Sequence, residues 1–92
     1  MINIRYVGAS WCKPCKLAKP EVIKLCERFN IDLKIIDYDD DMTSEEQSDI
    51  KKLPSIFIYD DNKQVKLITA NHVEELSIFL IDAFAVGRDD EF

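Results

Sequence analysis

The sequence contains little glycine, proline or cysteine and has no excess of basic residues. Its 92 residues include two Gly, three Pro and three Cys, which excludes collagen-like and low-complexity chains. Twelve Lys and Arg stand against eighteen Asp and Glu, for a formal net charge of −6. Because this balance disfavours a surface that tracks nucleic-acid phosphates or anionic lipid, we expect no nucleic-acid partner and no membrane partner.

Long hydrophobic runs are also missing. The most apolar stretch, residues 76–86, is interrupted by Ser77 and Asp82, so it does not predict a membrane span. Residues 1–5 are not a basic segment followed by an apolar run, so we expect no signal peptide. An odd number of cysteines in such a chain favours a reducing cytoplasm over a disulfide scaffold.

The length and composition indicate one small globular domain. Hydrophobic residues make up 47% and charged residues 33% of the chain, which is typical of a folded protein. We expect a single monomeric domain over residues 1–92, in which residues 88–92 form a frayed acidic tail after a helix that ends at Gly87.

Hydrophobic periodicity predicts a strand, a helix and a second strand in the first part of the chain. Residues 2–7 alternate and are β-branched or aromatic, as in a strand. From Cys12 the apolar residues recur at helical steps, and Pro20 is expected to kink this helix. The apolar run 33–36 predicts a buried parallel strand, and the acidic run 37–41 predicts a solvated loop.

Turn and capping signals organise the second part. Two overlapping capping boxes in residues 43–47 predict a short helix that ends at about Lys51. Residues 55–59 and 64–69 predict an antiparallel hairpin, and Asn71 predicts the start of a last helix. The order is βαβαββα. A right-handed crossover makes the first two strands parallel, so we expect an α/β fold with a four-stranded mixed sheet flanked by helices.

The strongest chemical signal is Trp11-Cys12-Lys13-Pro14-Cys15, between the first strand and the first helix. Two cysteines at this spacing can close a disulfide within one helical turn. Free N–H groups and the helix dipole favour an anion at Cys12, and Lys13 and Lys16 add positive charge. These effects lower the pKa of a thiol to ~7 or below. We therefore expect Cys12 to be the nucleophile and Cys15, one turn in and less exposed, to be the resolving thiol.

Pro14, between the two cysteines, lacks an N–H and stiffens the loop.

The sequence gives less support to other roles for the cysteines. Zinc needs four ligands, and besides the pair the chain offers only Cys26 and His72, which form no second paired cluster. We therefore expect no metal, a core position for Cys26 and a solvated His72.

The segment Ala9-Ser10-Trp11-Cys12-Lys13-Pro14-Cys15-Lys16, followed by Pro20, resembles the active site of thioredoxins. A second mark of that family, a proline just before the third strand, is present in Leu53-Pro54-Ser55. The resemblance covers residues 2–84. It implies a thioredoxin-like fold, a cis peptide bond before Pro54, and thiol–disulfide oxidoreductase activity. It also implies that Trp11, Leu53 and Pro54 bind substrate, with the backbone of Leu53 offered to an extended chain beside Cys12.

The resemblance also implies a mechanism and partners. The Cys12 thiolate attacks a substrate disulfide, and Cys15 then attacks the Cys12 sulfur and releases the reduced substrate. The expected partners are protein disulfides and a reductase. No cofactor is expected to be bound, since the Cys12–Cys15 disulfide is recycled by a thioredoxin reductase with NADPH or by glutathione.

Several positions depart from the family. The buried aspartate of thioredoxins is replaced by Tyr6, and their second tryptophan by Gly8. Thr69-Ala70 stands where thioredoxins usually have a Gly-Ala pair. The strand and helix that begin ordinary thioredoxins have no counterpart in this sequence. Tyr6, with an ordinary pKa near ~10, is a poor base. We expect a core aromatic there, with a water-holding role as the alternative.

Two other functions remain open. Glutaredoxins share this short element order, but they carry Pro-Tyr between their cysteines and Gly-Gly before the last helix. Here the corresponding residues are Lys13-Pro14 and residues 69–72. Together with an acidic surface that suits anionic glutathione poorly, this favours protein substrates. A non-catalytic thioredoxin-like binding module is the second alternative, although such modules commonly lose one active-site cysteine.

Overall fold

The elements follow one another in the predicted order. The computed structural model describes residues 1–69 and 72–85, so the expectations for Ala70, Asn71, Gly87 and residues 88–92 lie outside the described residues. The helices and strands are β1 (Ile2–Gly8), α1 (Lys13–Arg28), β2 (Asp32–Asp37), α2 (Ser44–Ser48), β3 (Ser55–Asp60), β4 (Lys63–Thr69) and α3 (Val73–Ala85). The βαβαββα order is therefore confirmed.

The four strands form one mixed sheet in the order β2-β1-β3-β4. β1 is parallel to β2 and antiparallel to β3, and β3 and β4 form the predicted antiparallel hairpin. At the hairpin turn, Asp61 and Asn62 have φ angles of 51° and 70°. Positive φ at both central residues is the geometry of a type I′ turn, which Asp and Asn tolerate better than most residues.

The expectation that residues 33–36 form a buried strand is wrong in one respect. β2 is an edge strand of the sheet, and within it Ile35 is 44% exposed. Leu33 and Ile36 are half-buried, whereas Asp32 and Lys34 are exposed. A short apolar run does not reveal whether a strand is central or peripheral, because that depends on which elements cover its two faces.

The core joins the sheet to α1 and α3. α1 continues through Pro20 and buries Ala18, Val22 and Cys26 against the sheet. From the other elements, the core takes Ile4, Ile56, Ile58, Ile68, Leu76 and Leu80. The rings of Phe29 and Phe84 stack with their centroids 5.3 Å apart. This packing fixes α1 on the sheet, and with it the CxxC segment that follows β1.

α2 is shorter than predicted. It has the expected capping box, in which the Thr43 and Glu46 side chains bond each other's backbone N–H, but it ends at Ser48 and not near Lys51. The second box does not form, because Ser44 is the first helical residue and Thr43 is the N-cap; the Gln47 side-chain amide donates instead to the carbonyl oxygen of Tyr38 at 2.7 Å. α2 is therefore tied to the loop that follows β2. Within residues 1–69 and 72–85, no helix combines the length and apolarity needed to cross a membrane.

Candidate active site

The first turn of α1 places the two cysteines together. Cys12 is the N-cap residue in an extended conformation, and its sulfur accepts a hydrogen bond from the N–H of Cys15 at 3.2 Å. Cys12 and Cys15 form a disulfide, with their Cα atoms 5.2 Å apart. The N–H of Cys12 donates to the carbonyl oxygen of Ala9 at 3.2 Å. The sulfur of Cys12 thus stands where a helix start offers free donors to a negative charge.

Burial does not distinguish the two cysteines. Cys12 is 5% exposed and Cys15, which was expected to be the less exposed of the two, is 4% exposed, a difference too small to separate their roles. The difference between them lies in the cavities that they line.

Cys12 lines a groove of about 380 Å³, which is bordered by Trp11, Cys12, Lys13, Pro14, Tyr38 and residues 50–53. This space is called the groove below. Cys15 lines a second space of about 220 Å³, called the rear cavity, which is bordered by Tyr6, residues 8–10, Cys15, Lys16, Lys19 and residues 35–37. The two lysines that were expected to add positive charge near Cys12 therefore lie apart, since Lys13 lines the groove with Cys12 and Lys16 lines the rear cavity with Cys15.

Trp11 is held in an exposed position at the end of the groove. Its side chain is 64% exposed, yet its indole Nε1 donates to the carboxylate of Asp39 at 2.7 Å. Its ring meets that of Tyr38 edge-on, at 6.3 Å between centroids. The carboxylate of Asp37 in turn accepts the N–H groups of Asp39 and Asp40 at 2.9 and 3.0 Å. The acidic run is thus a structured loop that fixes Trp11, a role that sequence reasoning missed.

The segment before β3 forms the opposite wall of the groove. The Leu53–Pro54 peptide bond is cis, and Pro54 is fully buried. The hydroxyl of Ser55, itself 2% exposed, donates to the carbonyl oxygen of Lys52 at 2.6 Å. Leu53 is therefore presented beside Cys12 by a fixed turn. Leu53 and Pro54 were predicted through the family resemblance, whereas Ser55, Lys51 and Lys52 were not, because no local sequence pattern indicates that they lie near Cys12.

Tyr6 lies directly behind the disulfide. It is 2% exposed, which agrees with the expected core aromatic, and its hydroxyl donates to the carbonyl oxygen of Cys15 at 3.0 Å. Burial raises the pKa of Tyr6 above its ordinary value of 10.0. Tyr6 is therefore neutral at physiological pH and acts as a hydrogen-bond donor to the first turn of α1.

Gly8 makes room for Tyr6. A Cβ atom built on Gly8 would lie 2.8 Å from both Cε1 and the hydroxyl oxygen of Tyr6, which is well inside van der Waals contact. The two departures from the thioredoxin pattern are therefore linked. A tyrosine in place of the aspartate fits because a glycine stands in place of the tryptophan.

The third cysteine and the histidine lie apart from this site. Cys26 is a free thiol, 3% exposed, and burial raises its pKa from 9.0 to about 11. His72 is an exposed residue whose Nδ1 lies 3.3 Å from a carboxylate oxygen of Glu75. Among the residues that the structure describes, no group of three or more His, Cys, Asp or Glu side chains is arranged to hold a metal ion.

A CxxC disulfide at the start of a helix, on a four-stranded mixed sheet of this topology, defines a thiol–disulfide oxidoreductase with a thioredoxin-like fold. The family model described as thioredoxin matches residues 4–82. The chain therefore belongs to the thioredoxin family.

Comparison with individual proteins agrees with this assignment. Thioredoxin of Gallus gallus is 35% identical over 70 residues, which are 75% of this chain and 67% of the chicken protein. The thioredoxin f2 chain in a crystal structure with ferredoxin:thioredoxin reductase is 28% identical, with a TM-score of 0.73, over 89% of this chain and 76% of that chain. Fasciola hepatica thioredoxin, at 18% identity, has a TM-score of 0.77 over 88% of this chain and 79% of its own, and this likeness bears on the fold alone.

Proposed function

We propose that the protein reduces protein disulfides by dithiol exchange, with Cys12 as the nucleophile and Cys15 as the resolving thiol. One observation carries this assignment. Cys12 lines the groove together with Trp11 and Leu53, whereas Cys15 lines the rear cavity on the other side. A disulfide that enters the groove therefore meets Cys12 first.

The exchange proceeds in two steps. The Cys12 thiolate attacks one sulfur of the substrate disulfide, that S–S bond breaks, and the departing thiolate takes a proton from solvent. The Cys15 thiol then loses its proton and attacks the Cys12 sulfur of the mixed disulfide. The second substrate thiolate leaves, and two electrons have passed from the cysteine pair to the substrate, which ends as a dithiol.

The first turn of α1 supports the thiolate of Cys12. The N–H of Cys15 points to the Cys12 sulfur, and helix-start donors of this kind favour an anion. Lys13 adds a positive charge within the groove, and Lys16 does the same on the side of Cys15. Pro14 restricts the backbone between the two cysteines, so the pair stays close when the disulfide opens.

Tyr6 acts as a positioning residue and not as the proton acceptor. Its hydroxyl hydrogen is committed to the carbonyl oxygen of Cys15, and a neutral phenol is a poor base at pH 7. The rear cavity beside Cys15 has a volume of about 220 Å³, which is ample for water. We assign the proton of Cys15 to water in that cavity.

Trp11, Leu53 and Pro54 form the substrate contacts of this proposal. The fixed turn at Ser55 and the Asp39–Trp11 hydrogen bond hold the two walls of the groove in place. An extended substrate chain lies between them, and its backbone pairs with that of Leu53. Preorganised walls reduce the entropy that binding must offset.

A separate reductase restores the dithiol. Reduction by NADPH through a thioredoxin reductase is the proposed route, and glutathione is the competing one. The related thioredoxin f2 chain, solved in complex with a reductase, supports recycling by a protein partner. We further propose that the protein acts as a monomer in the cytoplasm, since the groove and the disulfide are complete within one chain and Cys26 is a free thiol.

Insulin reduction tests the function. With NADPH and a thioredoxin reductase, the parent protein and the matched control Cys26→Ala are expected to precipitate insulin at similar rates, and Cys12→Ser is expected to be inactive. Cys15→Ser is expected to accumulate a mixed disulfide with its substrate, because nothing resolves it. Turnover by Cys15→Ser at the parent rate would contradict the resolving role. Efficient recycling by glutathione alone would contradict the proposed route.

A further inference from the structure

The lining of the groove is positively charged, although the protein as a whole is acidic. The chain has a formal net charge of −6, yet Lys13, Lys51 and Lys52 all line the groove and are exposed. Among the described residues, none of those that line the groove carries a carboxylate. The charge that a substrate meets beside Cys12 is therefore opposite in sign to the charge of the protein.

These three lysines are not neutralised by ion pairs. In the described part of the chain, ion pairs join the N-terminus to Asp60 and Asp61, and join Glu75 to Lys66 and His72. None of them involves a lysine of the groove. Three unpaired cations around one concave surface raise the local concentration of negatively charged groups.

Three carboxylates of the acidic loop beside Trp11 accept hydrogen bonds from the protein itself. The Asp39 carboxylate accepts the indole N–H of Trp11 at 2.7 Å. Asp37 binds the N–H groups of its own loop, and Asp41 accepts the N–H of Asp37 at 2.8 Å. This acidic loop lies at the Trp11 end of the groove, while Lys51 and Lys52 lie on the wall before Leu53. The groove is thus lined by basic residues, and the acidic loop lies outside its lining, next to Trp11.

From this arrangement we propose that the groove selects protein disulfides whose flanking residues are acidic where the chain passes Lys51 and Lys52. The inference rests on the proposed function and narrows its substrate class. The favoured partner is an extended segment with Glu or Asp beside its cystine. Basic segments are disfavoured, because they meet like charges on the wall. Charges of this kind act mainly on the rate of association and are weakened by salt.

Matched peptide disulfides test this selection. Three peptides of equal length carry one disulfide each, flanked by Glu, Gln or Lys, and the neutral hydroxyethyl disulfide serves as a reference. The reduced protein is compared with the double variant Lys51→Gln/Lys52→Gln. The control is Lys24→Gln/Lys63→Gln, which changes the net charge by the same amount at exposed positions away from the groove. Rate constants are measured at low and high ionic strength.

The expected result is a preference of about tenfold in kcat/KM for the Glu peptide over the Lys peptide at low salt. The preference should shrink severalfold near 0.5 M salt, where the screening length falls well below 10 Å. It should also shrink in the groove variant but persist in the control. Equal rates for all three peptides would overturn this inference and leave the proposed function intact. If the protein reduces none of the four disulfides, the proposed function itself is overturned.

The lysines could instead recognise glutathione disulfide, which also carries carboxylates, so its reduction is measured as well. Suppose that the parent protein reduces glutathione disulfide as fast as the Glu peptide, and that Lys51→Gln/Lys52→Gln loses this activity. The lysines would then bind a small anionic substrate. That result would overturn the proposal of an acidic protein segment.

Discussion

Gly8→Ala is expected to destabilise the protein through its contact with Tyr6. Gly8 has no positive φ, so alanine meets no backbone strain there, and an alanine in a strand would normally stabilise by roughly 0.5–1 kcal/mol relative to glycine. The added Cβ would lie 2.8 Å from two atoms of the Tyr6 ring system. The expected sign is therefore opposite to that of the intrinsic preference.

The magnitude follows from what Tyr6 must give up. The ring is 2% exposed and enclosed by the core, and forcing one extra methyl group into such a site costs about 1–3 kcal/mol. If the ring shifts, the hydrogen bond to the Cys15 carbonyl lengthens from 3.0 Å, and its loss costs about 0.5–1.5 kcal/mol. After the alanine preference is subtracted, we expect a net loss of about 2 kcal/mol.

A double-mutant cycle isolates the contact. Urea unfolding of the oxidised proteins, followed by far-UV circular dichroism, gives the free energy of unfolding for the parent, Gly8→Ala, Tyr6→Val and the double variant. Without the aromatic ring, alanine at position 8 is expected to be neutral or stabilising, so the coupling energy is about 2 kcal/mol. Tyr6→Phe removes only the hydroxyl contact and should relieve part of the loss. Equal effects of Gly8→Ala with and without the Tyr6 ring would refute the reasoning.

Two further predictions concern buried polar groups. Ser55→Ala removes the hydroxyl that binds the Lys52 carbonyl. It is expected to lower the free energy of unfolding by about 1–2 kcal/mol and to raise KM for peptide disulfides more than it lowers kcat. An unchanged KM would contradict the role of this hydrogen bond in holding the groove wall that contains Leu53. Because burial raises the pKa of Cys26 from 9.0 to about 11, the folded protein holds this proton more tightly than the unfolded chain. The stability from this thiol is full below pH 9 and is lost as the pH rises through about 11. Relative to pH 8, the parent should lose about 1.4 kcal/mol more than Cys26→Ala at pH 10 in urea unfolding, and parallel pH profiles would contradict this.

The sequence predicted the local features of the site because they are encoded within a few residues. Cys12 and Cys15 are spaced for one helical turn, and the structure places them there with Cys12 as the N-cap residue. The capping box at Thr43 and the hairpin turn were also predicted from short patterns. In contrast, the edge position of β2 depends on which strands and helices pack around it.

The linked positions Tyr6 and Gly8 show where sequence reasoning ended. Both were identified as departures from the thioredoxin pattern, but nothing in the sequence indicates that one makes space for the other. Likewise, the acidic run was expected to be a solvated loop, whereas Asp39 binds the indole of Trp11 across 28 positions of the chain.

By itself, the sequence determined the class of chemistry, the order of the elements and the identity of the redox pair, since these depend on residue type and periodicity. Only the tertiary structure decided that Cys12 lines the groove and Cys15 the rear cavity. It also decided which contacts hold Trp11 and Leu53 in place, and that Lys51 and Lys52 lie beside Cys12. The physical reason is that a groove is formed by segments far apart in sequence, and their approach is fixed by the packing of α1 and α3 on the sheet.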